Sequence, residues 1–112
     1  MTWRSLESLS ELEQLVGSSL KNDDTLAIFK HSTRCAISSM AKSRLEKSWS
    51  KINTETPIYL LNLIEHREVS NQIAAQFNIP HQSPQLILVK AGNAVYDASH
   101  ISINSKAASK YI

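Results

Sequence analysis

Cys35 is the only cysteine of this 112-residue chain, and it stands where an apolar run gives way to a helical pattern. Leu26-Ala27-Ile28-Phe29-Lys30-His31 leads through Ser32-Thr33-Arg34 to the cysteine, and Ala36-Ile37-Ser38 follows. A thiol at a helix N-terminus faces unpaired backbone N–H groups and the positive end of the helix dipole, and both favour thiolate. The thiolate is the species that attacks a disulfide. Arg34 adds a fixed positive charge beside the sulfur. Ser38, three residues on, can turn its hydroxyl or backbone N–H toward it in the first helical turn. Arg34 and Ser38 are therefore the candidate thiolate-stabilising groups around a candidate nucleophile, Cys35. The competing assignment is a small buried hydrophobe, the usual fate of a lone cysteine. Polar flanks and a strand-to-helix junction weigh against it.

Ser83-Pro84 is the second feature, immediately before the strand pattern Gln85 to Lys90. Proline entering a sheet strand is confined to a few positions. A cis bond there makes a tight bend whose free backbone groups face the crevice at the sheet edge, whereas a trans proline merely starts the strand. Ser99 and Ser102 read first as helix caps. His100 and His31 read as surface or hydrogen-bonded histidines, and His31, four residues before Cys35, is not expected to touch it.

These residues need elements to hold them. Leu6, Leu9, Leu12, Val16 and Leu20 recur at helical spacing and predict a helix over 8–20, with Gly17 weakening its last turn. Leu26 to Phe29 has the length and flanks of an interior strand. Ile37, Met40, Ala41, Leu45 and Trp49 predict the inner face of a helix over 36–49. Pro57 opens a second buried run, Ile58 to Ile64, which makes a right-handed parallel βαβ unit with the first. Val69, Ile73, Ala74 and Phe77 mark a third helix, stopped by Asn78-Ile79-Pro80. Leu86 to Val89, the turn Ala91-Gly92-Asn93 and Ala94 to Tyr96 form a β-hairpin. Ser102 is the predicted cap of a last helix with Ile103, Ala107 and Tyr111 inward. The order predicts an α/β fold, a central mixed β-sheet flanked by helices, in a single domain over 1–112. In such a sheet, ligands bind at the carboxyl ends of the parallel strands, where Cys35 falls.

Composition narrows the classes of function. Hydrophobic residues make up 42% and charged residues 20%, as in an ordinary globular protein. A formal charge of +2 gives no reason to expect nucleic acid or an acidic membrane as partner. Lys42, Arg44 and Lys47 read as a solvated helix face. No apolar stretch approaches the ~20 residues of a membrane span, and Met1 to Ser5 lacks the pattern of a secretion signal. With one cysteine there is no internal disulfide, so a cytoplasmic location is expected.

The order of elements, with a cysteine at a helix start and a proline-led hairpin, resembles the thioredoxin-like arrangement. Within it, Cys35-Ala36-Ile37-Ser38 is similar to a Cys-x-x-Cys redox motif whose second cysteine has become serine. More narrowly, Phe29 to Cys35 with Ile37-Ser38, Ser83-Pro84 and Ala98-Ser99-His100-Ile101-Ser102 resembles the YtxJ-like monothiol bacilliredoxins over nearly the whole chain. That family usually carries Cys-Pro-Ile-Ser. Ala36 replaces the proline here and restores a backbone N–H.

The resemblance implies exchange between proteins and bacillithiol, a small thiol, with no bound cofactor. Cys35 would attack the bacillithiol sulfur of an S-bacillithiolated client, and a second bacillithiol would resolve the adduct. Thr33 and Arg34 are the implied contacts for the malate carboxylates of bacillithiol. Ser83 and Pro84 would offer backbone groups to the substrate, and Ser99 and His100 fall where related folds hold such carboxylates. No metal site is implied, and a monomer is expected. Ser38 cannot complete a disulfide, which excludes a dithiol cycle within the chain on covalent grounds alone. Two other classes stay open: an iron–sulfur cluster shared between two subunits, as in monothiol glutaredoxins, and a redox-inactive binding module of the same fold.

Overall fold

A computed structural model describes residues 1–52 and 55–112. Among these residues, five strands and four α-helices follow in the order β1 (Trp3–Ser5), α1 (Leu9–Asn22), β2 (Thr25–His31), α2 (Ala36–Trp49), β3 (Ile58–Asn62), α3 (Arg67–Phe77), β4 (Gln85–Lys90), β5 (Asn93–Ser99) and α4 (Ser105–Ala108). The sheet order is β1-β3-β2-β4-β5. β3 runs parallel to both β1 and β2, while β4 is antiparallel to β2 and to β5. This is the mixed sheet between helices that the sequence predicts.

Alternation along β2 divides the core. Leu26 and Ile28 point to the layer of α1 and α3, where they meet Leu12, Leu61, Val69, Ile73, Ile87 and Val89. Ala27 and Phe29 point to the layer of α2 and α4, against Ala41, Leu45, Trp49, Leu86, Leu88 and Ala108. Being covered on both faces is why β2 and β4 read as nearly continuous apolar runs. Burying one such leucine contributes roughly 1.5–3 kcal/mol.

One strand has no counterpart in the sequence reading, and three expectations need correction. Trp3–Ser5 forms an edge strand that composition does not reveal; it is secured by the Trp3 indole, which donates to Glu46 on α2 at 3.0 Å and lies under Lys42. Leu6 precedes α1, whose cap is Ser8, and Leu9 and Leu20 are exposed. The inner line of α1 instead runs Leu12, Leu15, Val16 and Ser19, because Ser19 bonds the Asp24 carbonyl and the Gly92 N–H and so fixes the helix phase. On α2, Ile37 and Met40 face outward, and the buried line is Ser38, Ala41, Leu45 and Trp49. Finally, Ser102 lies in a 3-10 turn, His100–Ser102, and Asn104 caps α4 by accepting from the Lys106 and Ala107 N–H groups. Ile103, Ser105 and Ala108 are buried there, and Tyr111 is exposed, its ring tilted against that of Tyr96 with centroids 5.2 Å apart.

The hairpin turn sits at Ala91 and Gly92, both with positive φ (50° and 79°), the signature of a two-residue primed turn. β5 continues to Ser99, three residues beyond the predicted strand.

Candidate functional site

Strand direction collects the candidate residues. β2 and β3 end at the edge where the antiparallel β4 begins and β5 finishes. Ser99 ends β5 at that edge, and Cys35, Ser83-Pro84 and His100 lie just beyond it.

Cys35 is the N-cap residue of α2, with extended backbone (φ −118°, ψ 121°), and is half-buried. Its N–H donates to the Ser32 carbonyl at 3.2 Å, and its carbonyl accepts from the Ser39 N–H at 3.1 Å. These bonds close the turn Ser32–Cys35 on the first turn of a 14-residue helix. The thiol itself makes no capping bond, and the first turn carries no acidic residue to oppose the helix's positive end. Arg34 and Thr33 are exposed beside it, without side-chain hydrogen bonds or ion pairs among the described residues.

Ser38 is fully buried, and its hydroxyl is directed at the preceding turn rather than at the sulfur. The Ser32 N–H donates to Ser38 Oγ at 3.0 Å, and His31 Nδ1 lies 2.7 Å from the same oxygen. The hydroxyl can take part in both bonds at once, one with the Ser32 N–H and one with the imidazole, because its oxygen has two lone pairs and a proton. His31 is itself buried and stacks on Phe29 at 5.8 Å. Burial first, and the Lys42 charge second, hold the imidazole below its ordinary pKa, in keeping with a neutral ring. His31 supports the cysteine turn through Ser38 and, as expected, makes no hydrogen bond to Cys35 among the described residues. Strand alternation is the signal that places it: 27, 29 and 31 share the face that α2 covers.

The Ser83–Pro84 bond is cis. Gln85 pairs with Lys30 across the ladder, so Pro84 stands at the register position of His31. The Pro84 carbonyl accepts from the His100 N–H at 3.0 Å, which brings the predicted Ser83-Pro84 and Ser99-His100 pieces together. His100 has φ 55°, and its carbonyl accepts from Arg44 on α2. Ser99 sits opposite Gln85 and makes no side-chain capping bond.

One polar cluster went unread in the sequence. Lys30 is fully buried and reaches the Ser70 carbonyl and His81 Nδ1, on the opposite face of the sheet from His31. Burial, then the Arg67 charge, push its ammonium down to about 8. The clue is a lysine at the inward position 30 after Leu26 and Ile28. Among the described residues, no three His, Cys, Asp or Glu side chains gather to hold a metal.

The sheet order, the helix placement and a single thiol at the start of α2 define a thiol-bearing protein of the thioredoxin fold. Solved structures agree. A thioredoxin-fold protein thought to be an oxidoreductase superposes with a TM-score of 0.80 at 28% identity, covering 96% of this chain and 93% of that one. Malassezia sympodialis thioredoxin gives 0.75 at 16% identity, covering 99% and 90%. Fasciola hepatica thioredoxin gives 0.70 at 17% identity, covering 97% and 95%; the last two likenesses concern the fold alone. Residues 4–108 match the family described as monothiol bacilliredoxin BrxC, and the chain belongs to that family. It is a monothiol oxidoreductase of bacilliredoxin type.

Proposed function

We propose that this protein removes bacillithiol, or a closely similar small thiol, from mixed disulfides on client proteins. The Cys35 thiolate attacks the small-thiol sulfur of the client disulfide. That S–S bond breaks, the client leaves as a thiolate, and a Cys35–small-thiol disulfide forms. A second small-thiol thiolate then attacks the sulfur attached to Cys35. It leaves as the symmetric small-thiol disulfide, and Cys35 returns as thiolate. Each step exchanges one S–S bond for another, so electrons balance across the cycle.

The observation that carries this reading is the half-buried Cys35 at the N-cap, with a hydroxyl, committed to His31 and Ser32, where a resolving thiol would stand. Thr33 and Arg34, exposed beside the sulfur, suit the carboxylates of bacillithiol. The backbone of Ser83-Pro84 and the Ser99-His100 turn supply the opposite wall against which the client lies. The family assignment favours bacillithiol as co-substrate, and a cytoplasmic monomer is the working form in this reading.

Reduced protein mixed with a bacillithiolated client decides the matter. Release of the client thiol, lost in Cys35→Ser, is the expected result. A coloured, iron-containing dimer without exchange would instead mean cluster binding, and neither outcome would leave a binding module.

A further inference from the structure

A charged side chain inside an apolar layer calls for a reason. Lys30 is 0% exposed at the end of β2, on the face where Leu26 and Ile28 meet α1 and α3. Desolvating an ammonium costs several kcal/mol, and an apolar residue of similar volume usually serves stability as well or better. What lysine offers in return is directed hydrogen bonds. Its Nζ donates to the Ser70 carbonyl on α3 at 3.2 Å and to His81 Nδ1 at 3.4 Å. The Ser70 hydroxyl, on a residue that is also fully buried, lies 3.2 Å from the same His81 nitrogen. An ammonium has only protons to offer, so the Lys30 contact calls for a His81 Nδ1 that carries none, with the ring proton on Nε2.

His81 lies in the segment 79–84, which carries the chain from the end of α3 to the start of β4. A second tether holds the same segment: Gln85, the ladder partner of Lys30, donates from Nε2 to the Pro80 carbonyl at 3.2 Å. Gln85 is 1% exposed, and its Oε1 has no hydrogen-bond partner among the described residues. Segment 79–84 is therefore fixed from both sides of the Lys30–Gln85 pair, and it ends where Pro84 stands beside the exit of β2 toward Cys35.

We propose that Lys30 and His81 are positioning residues for thiol exchange: the Lys30–Ser70–His81 contact locks segment 79–84 so that the Ser83-Pro84 backbone meets the client at a fixed distance from Cys35. This rests on the exchange reading above, and it adds residues on the far face of the sheet that touch neither client nor sulfur. Removing the lock leaves the thiol intact but lets the opposing wall move. Displacements on the order of 1 Å in a positioning element cost up to about 100-fold in rate.

Lys30→Met and His81→Gln test this in the full chain. Lys30→Met keeps the side-chain volume and removes the buried charge; His81→Gln changes a half-buried loop residue and leaves the core as it is. Alkylation of Cys35 by iodoacetamide needs only the thiol, and both variants are expected to react within about two-fold of wild type. Exchange with a peptide carrying a small-thiol mixed disulfide is expected to fall about ten-fold or more, through a raised KM. Lys30→Arg, whose guanidinium still donates, is expected to recover part of that loss. Variants that match wild type in peptide exchange overturn the inference while the exchange reading stands. A parallel loss of alkylation and peptide exchange also overturns it, because the effect then lies at the sulfur. Absence of peptide exchange in the wild-type protein removes both readings together.

Discussion

His31 Nδ1 and Ser38 Oγ lie 2.7 Å apart at the base of the turn that carries Cys35, and both residues are buried. Through the Ser32 N–H, which donates to the same oxygen, the pair joins the last residue of β2 to the first turn of α2. The serine that replaces a second redox cysteine is thus a structural strut of the cysteine turn.

Ser38→Ala removes one atom and strands two partners, the Ser32 N–H and His31 Nδ1. Leaving a buried polar group unsatisfied costs about 1–3 kcal/mol. Urea unfolding should show a loss in that range, together with broadened amide resonances over residues 32–35. A stability equal to wild type would mean that water replaces the hydroxyl.

Ser38→Cys puts a second thiol one helical turn from Cys35. Residues three apart on a helix have Cβ atoms about 5–6 Å apart, close enough for a disulfide after a small adjustment of the first turn. Mild oxidation should remove both free thiols from this variant and yield an intramolecular disulfide, visible by intact mass. Recovery of two alkylatable thiols after oxidation would contradict the placement of residue 38.

The histidines set the acid limb of stability. His31 and His81 both have pKa values lowered from 6.5, chiefly by burial. The unfolded chain therefore binds these protons first as pH falls, and stability is lost from about pH 6.5 downward, toward the folded-state values. His31→Asn offers Oδ1 to the Ser38 hydroxyl without a titrating ring. Urea midpoints compared at pH 7.5 and 5.5 should differ less in this variant than in wild type. An unchanged difference would assign the acid sensitivity to other groups.

Lys30 has the same sign in the alkaline range. Its folded value, about 8 against 10.5, means that the unfolded state holds the proton longer, so this residue's contribution to stability rises between roughly pH 8 and 10.5. Lys30→Met should flatten that rise in denaturation experiments across the interval. A wild-type slope in the variant would show that Lys30 does not titrate there.

Gly92 offers a control at the opposite end of the sheet. Its φ is 79°, and an added Cβ would come 3.0 Å from the Leu20 Cβ. Gly92→Ala should cost about 1–2 kcal/mol through backbone strain and this contact. Exchange activity per folded molecule should not change. A specific loss of activity would reveal coupling along β4 that the geometry gives no reason to expect.

The local alphabet of the chain settled much of this architecture. Apolar runs at Leu26–Phe29, Ile58–Leu61 and Leu86–Val89 have the length and flanks of interior strands, and Asn78 and Gly92 end their elements through positive φ. The position of Cys35 at a helix start followed from the change of period between strand and helix. Covalent arithmetic alone excluded an internal dithiol cycle.

Tertiary packing decided the rest. Helix phase is a small rotation that many apolar side chains tolerate, so only the sheet beneath α2 chose buried Ser38 over Ile37 and Met40. The edge strand Trp3–Ser5 gains its backbone partners from β3, more than fifty residues away, and no local signal encodes them. Lys30 and His81, likewise fifty-one residues apart, meet because β2 and β4 are neighbours. Contacts of that span depend on strand order, which a periodic pattern of side chains does not specify; the fold brings them together and thereby gives a single thiol its surroundings.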